Sequence, residues 1–187
     1  MDIVRLKPSQ WPTWRGRMAA FAKRHGDRRI TAEGLRAMLL AGEETDHSVS
    51  SPAAVVIARD QGRMLGFAFA ANAGETACLV VVRSDARGGG VGRRLVEALA
   101  NRFGGRLCCK IAADNPASMR LFFHAGLKAV ALETGPTGKP TLRFETDGFH
   151  TAAAPAEGHA AGHTVTHAPR HPAGHTIGHA VGHVKEA

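Results

Sequence analysis

The chain has 187 residues, with 24 Lys and Arg against 16 Asp and Glu and a formal net charge of +8; this fits one folded domain with length to spare and suits a polyanionic ligand. Aromatic residues make up only 5%, with no tyrosine, so base-stacking platforms are scarce and nucleic acid is disfavoured as a partner. The N-terminus has no signal core, no apolar run reaches membrane-spanning length, and Cys78, Cys108 and Cys109 lack zinc spacing, which points to a reduced, cytoplasmic protein with no membrane partner.

In chain order, residues 3–7 read as a strand, and Pro8-Ser9 opens a helix with Pro12 in its first turn. Trp11, Trp14, Met18 and Phe21 share one face of it, at core spacing. Gly26 ends this helix, and Thr31 caps a second that turns Leu35, Met38 and Leu39 inward and stops near Gly42. The segment 42–52 is polar; its Glu43, Glu44, Asp46 and His47 either meet an amine substrate or form a solvated loop. A meander follows, with strands 54–59, 63–71 and 75–82 joined by turns at Asp60-Gln61-Gly62 and Asn72-Ala73-Gly74.

The third strand runs through Arg87-Gly88-Gly89-Gly90-Val91-Gly92 into a helix whose stripe is Val91, Leu95, Leu99 and Phe103. A helix start carries unpaired N–H groups and partial positive charge, so it attracts phosphate. Glycines let a phosphate approach the backbone, and Arg87, Arg93 and Arg94 add charge. The loop is therefore expected to hold a pyrophosphate. No Lys-Ser or Lys-Thr follows the glycines, and Arg93 stands where a dinucleotide fingerprint needs its third glycine; both nucleotide signatures are absent.

Beyond this helix, 107–112 reads as a strand. Asn115-Pro116 then opens a helix that Gly126 stops, and a hairpin of 129–133 with 141–145 closes the domain. Cys108 and Cys109 read as small strand residues, since nothing near them would depress a thiol pKa.

Two motifs in this order, Arg87-x-x-Gly90-x-Gly92 after a valine strand and Asn115-x-x-Ser118-x-x-Leu121-Phe122-x-x-x-Gly126-Leu127, resemble the GNAT superfamily of acyl-CoA-dependent N-acetyltransferases. The resemblance spans residues 1–146. It implies an α+β fold: a mixed, mostly antiparallel twisted sheet flanked by helices and split near Val82. It further implies acetyl-CoA as cosubstrate, with its pyrophosphate on Arg87, Gly88, Gly89, Gly90, Val91, Gly92 and Arg93. The pantetheine arm would pair with the backbone of Val80, Val81 and Val82, and Asn115 would reach the arm or acetyl group. An acceptor amine would attack the thioester directly, with N–H groups around Val80–Val82 stabilising the oxyanion.

The chain departs from the pattern in two places. The family's tyrosine, taken as the acid that protonates the departing thiolate, falls at Phe122, which has no proton to give. Thr76 sits nearest the family's usual glutamate, so the candidate base is its neighbour Glu75, which needs a bulge to swing inward. The acceptor is not readable, and monomer and homodimer are equally compatible with the chain. The competing expectation is a non-catalytic acyl-CoA sensor or a metal-handling protein.

Residues 147–187 read as a second segment, which from Thr151 onward is mostly Ala, Gly, Pro, Thr and His, too poor in large apolar residues to bury a core. His159, His163, His167, His171, His175, His179 and His183 recur at a constant step of four. Glycines and prolines between them oppose a helix. A disordered tail is expected, binding divalent metal loosely and not needed for catalysis.

Overall fold

A computed structural model describes residues 1–41 and 52–149. Its elements follow the expected order: β1 (Asp2–Arg5), α1 (Trp11–His25), α2 (Ala32–Leu40), β2 (Ala53–Asp60), β3 (Arg63–Ala71), β4 (Ala77–Val82), α3 (Val91–Asn101), β5 (Cys108–Ala112), α4 (Pro116–His124), β6 (Lys128–Thr134) and β7 (Pro140–Glu145). Pro8–Gln10 forms a short 3-10 turn, so α1 proper begins at Trp11, with Pro12 in its first turn. Thr31 caps α2 as expected, its Oγ1 accepting the Gly34 N–H at 3.0 Å.

The strands form two antiparallel sheets, ordered β1-β2-β3-β4 and β5-β7-β6. Alternation along β2 feeds two cores. Val55 and Ile57 point toward α1 and α2, joining Trp11, Met18, Phe67 and Phe69. Val56 and Ala58 point the other way, into a cluster with Leu95 and Leu99 of α3 and with Phe122 and Phe144. Helices on both faces bury the apolar side chains of the first sheet on both sides, which gives the α+β architecture the sequence implies.

Two boundaries differ from expectation. The third meander strand starts at Ala77 and not at Glu75, because Asn72–Gly74 coils into a 3-10 turn with Ala73 at φ 51°. That turn presses on β5: a Cβ at Gly74 would lie 1.8 Å from the Cys108 carbonyl oxygen. The packed chain also continues beyond residue 146, where the first segment was expected to end. Thr146 Oγ1 accepts the Leu107 N–H at 3.0 Å, and Phe149 is 5% exposed against Ala73 and Cys108. The guanidinium groups of Arg106 and Arg143 both sit 5.5 Å from its ring. Phe149 thus belongs to the first compact unit, Met1–Ala153.

Candidate functional site

The site begins where the two sheets fail to join. β5 returns beside β4 after α3; the turn before β4 presses Gly74 on Cys108, and Cys78 of β4 meets Cys109 of β5. Among the described residues no backbone hydrogen bond links them. The alternation of an antiparallel ladder shows which groups face this seam. Arg83 donates to the Leu65 carbonyl at 2.8 Å, so Val81 and Leu79 bond to β3 while Cys78, Val80 and Val82 turn their N–H and C=O groups toward β5. On the other side, the Ala113 N–H bonds to the Pro140 carbonyl at 2.8 Å. Cys109 and Ile111 therefore bond to β7, and Cys108, Lys110 and Ala112 face β4. Two strand edges with no backbone ladder between them oppose each other across the seam; of these groups the Val82 carbonyl accepts from Arg87, and buried backbone groups require partners. An extended chain bearing amides is a fitting occupant. The side chains of Val80 and Val82 lean on the α3 core, whereas Val81 is buried under α1 and α2.

At the end of β4 the backbone makes a 3-10 turn, Ser84–Ala86, and enters the glycine loop. Gly88 and Gly90 have φ +79° and +76°, and a Cβ at either would meet nothing within 4 Å. This is open, left-handed backbone that suits glycine and leaves room for a ligand. The first backbone hydrogen bond of α3 runs from Arg94 N to Gly90 O at 3.1 Å. Among the described residues the amides from Gly88 to Arg93 donate to no backbone carbonyl, and no side chain caps the helix. Val91 is buried and anchors the first turn. Gly92 has a packing role: its absent Cβ would lie 3.0 Å from Leu121 of α4. Arg93 is paired with Glu97 at 2.6 Å and exposed.

Arg87 is engaged on three sides. Its Nε donates to the Val82 carbonyl at 3.1 Å, Nη1 to Asp27 at 2.5 Å and Nη2 to the His25 carbonyl at 2.6 Å. The last two partners lie at the end of α1, about which the sequence offers no hint. Arg29, two residues beyond Asp27, reaches Asp114 just past β5 at 2.9 Å, and Lys139 holds the other Asp114 oxygen at 2.7 Å. These two cations hold the Asp114 carboxyl below the usual carboxylate range. Partial burial, followed by Arg24 and Arg83, lowers the His25 pKa below its ordinary value, which keeps its ring neutral at pH 7.

The remaining sequence-derived positions fall as follows. Asn115 caps α4, its Oδ1 accepting the Ser118 N–H at 3.2 Å. Phe122 is 5% exposed, packed in the α3 core with its ring 6.3 Å from Phe144. Glu75 lies outside β4, and the β3–β4 register carries no bulge. Its carboxylate makes a two-pronged pair with Arg143, at 2.6 and 3.2 Å, and Arg143 also binds buried Glu145 at 2.6 Å. Glu75 borders a cavity of about 230 Å³ with Asn72, Phe103, Arg106 and Phe149. Burial pushes the Cys108 thiol up to about 12 and raises that of Cys109 well above its ordinary value, so both stay protonated at neutral pH.

Glu43, Glu44, Asp46 and His47 lie outside the described residues, as do the seven spaced histidines from His159 to His183. Among the described residues no cluster of His, Cys, Asp and Glu could hold a metal ion, and no helix is long and apolar enough to cross a membrane.

A glycine loop whose amides meet no backbone acceptor among the described residues thus lies at the open end of a seam between two sheets. Residues 51–126 match the family model described as an acetyltransferase (GNAT) domain. Solved structures share the fold. A ribosomal-protein-alanine N-acetyltransferase from Brucella melitensis is 22% identical with TM-score 0.53, over 78% of this chain and 99% of that one. The yncA structure from Salmonella typhimurium, determined with its cofactor acetyl-CoA, is 19% identical with TM-score 0.53, over 83% and 98%. A chimera of spermidine N-acetyltransferase SpeG from Vibrio cholerae and hSSAT is 12% identical with TM-score 0.54, over 78% and 95%. No curated protein sequence matches the chain. The chain thus carries a GNAT acetyltransferase domain, matched over residues 51–126.

Proposed function

We propose that the protein transfers an acetyl group from acetyl-CoA to a primary amine, of a small molecule or a protein, by direct attack. The observation that carries this is the run of amides from Gly88 to Arg93 that meet no backbone acceptor among the described residues, continuous with the outward edge of Val80 and the Val82 N–H, the Val82 carbonyl being held by Arg87. These residues fit a diphosphate joined to an amide-bearing arm, in that order along the chain. Acetyl-CoA supplies an activated thioester when bound. The chain's own contribution is positional: Gly88–Arg93 receive the diphosphate, the Val80 N–H and C=O and the Val82 N–H align the arm, and an N–H of this edge stabilises the oxyanion.

Proton handling follows from what the side chains can do. Phe122 is buried and has no proton to donate, so the thiolate departs without an acid from that position; a thiol pKa of about 8.5 makes it a tolerable leaving group near neutral pH. Glu75 is bound to Arg143 and is the candidate base only when that pair opens. The attacking amine then depends mainly on its own neutral fraction, and kcat/KM is expected to rise with pH until the acceptor's pKa is passed.

Residues 1–153 are proposed as the catalytic unit, and the histidine-rich segment as an appendage not needed for transfer. The primary experiment is thermal denaturation with acetyl-CoA. The cosubstrate is expected to raise Tm, and Gly90→Asp, which sets a carboxylate among the free amides, is expected to abolish the shift. A folded sample whose Tm responds to no acyl-CoA overturns the proposal. A second reading, acyl-CoA binding without transfer, is favoured by the combination of Phe122 and the locked Glu75; release of free thiol across an amine panel separates the two.

A further inference from the structure

The connection between α1 and α2 touches both sides of the open end of the seam. On the β4 side, Asp27 and the His25 carbonyl bind Arg87, which is itself tied to the last residue of β4 through the Val82 carbonyl. On the β5 side, Arg29 binds Asp114, two residues after β5 ends. The connection therefore crosses from one sheet to the other at the mouth of the slot. Its backbone is not relaxed: Asp27 and Arg28 have φ 50° and 58°, left-handed values that residues with a Cβ adopt at a cost and keep only where contacts impose them. The contacts in question are the two ion pairs and the Arg29 N–H to the Gly26 carbonyl at 2.9 Å.

We propose that this segment is a strap over the slot and that Asp27 is a positioning residue occupying Arg87 in place of the cosubstrate's diphosphate. The inference rests on the acyl-CoA reading above. Arg87 stands at the first position of the glycine loop, beside amides that have no other partner. A diphosphate there carries more negative charge than one carboxylate and gains the helix-start amides as well, so it displaces Asp27 from the guanidinium. The strap then loses the charged half of its β4 anchor, the His25 carbonyl remaining on Arg87, and keeps its β5 anchor, Arg29 with Asp114, which Lys139 reinforces. Cosubstrate binding thereby loosens the cover on the α1–α2 side of the slot.

The test uses the full-length chain and Asp27→Asn. Asparagine keeps the size of the side chain and tolerates the left-handed backbone, so only the charge is removed; Asp27→Gly, which is free at positive φ, serves as a second variant should the first fold poorly. Two quantities are read: the Kd for acetyl-CoA by calorimetry, and amide hydrogen exchange at Arg28–Ile30 without ligand. The pair is exposed, so its removal is expected to tighten acetyl-CoA binding about threefold and to speed exchange by a similar factor, toward the rate acetyl-CoA produces in the parent protein. Arg29→Gln, which frees only the β5 anchor, is expected to speed exchange without tightening binding. If the parent binds acetyl-CoA and removal of Asp27 leaves Kd unchanged or weaker, the strap proposal is overturned and the acyl-CoA reading stands. If the parent binds no acyl-CoA, both fall together.

Discussion

A methyl group at residue 74 would sit 1.8 Å from the Cys108 carbonyl oxygen, and the residue has φ +97°. Gly74→Ala is therefore expected to destabilise the protein by at least about 1–3 kcal/mol, measured by urea denaturation. Gly88→Ala meets no atom and carries only the backbone cost of its positive φ, about 1–2 kcal/mol. The thiols make a second prediction at this scale. With Cys108 raised by burial to about 12 and Cys109 raised well above its ordinary value, neither is expected to react with iodoacetamide in the native protein at pH 8. Unfolded cysteines begin to ionise near pH 8.5–9 while these stay protonated in the native state, so the unfolded state binds fewer protons above that point. Their contribution to stability is whole below about pH 9 and falls as pH rises toward 12. The substitution of Phe122 for an acid was legible in the sequence. The pairings of Arg87 with Asp27, Arg29 with Asp114 and Arg143 with Glu75 were not, because each joins residues 60 or more positions apart, and single-chain periodicity carries no information about such contacts.

The helices and the meander were readable because their signals are local: Thr31 before α2, Pro116 at the start of α4, and period-two alternation in β2. The start of β4 was not, since Glu75 reads as a good strand opener until Gly74 is seen pressed on β5. Glu75 consequently stands off the strand that was expected to carry it. Asn115 is a case in which local and ligand roles compete for one side chain. Asn115→Ala removes the α4 cap and is expected to cost about 1 kcal/mol. Asn115→Ser preserves the cap, so a loss of acetyl-CoA affinity in both variants, read by calorimetry, assigns the residue to the ligand; retention in the serine variant assigns it to the helix alone.

For the molecule as a whole, composition located the change from a core-forming chain to a histidine-rich one, but not the point at which packing ends. Phe149 stands among small and polar residues and carries no periodic signal, yet the guanidinium groups of Arg106 and Arg143 both lie against its ring and it is nearly fully buried. Ending the chain after Ala153 is expected to leave Tm and acetyl-CoA binding intact, whereas ending it after Gly148 removes the ring and costs about 3–5 kcal/mol, readable as a lowered Tm. The absence of a ladder between β4 and β5 has a mechanical consequence. Among the described residues each sheet is knitted internally, while the two are joined by the core they share under α3 and by the pairs Arg29–Asp114 and Glu75–Arg143, so the seam itself has no backbone rungs to resist opening. An occupant whose own amides bridged both facing edges would supply those rungs, and is expected to slow amide exchange along β4 and β5 together.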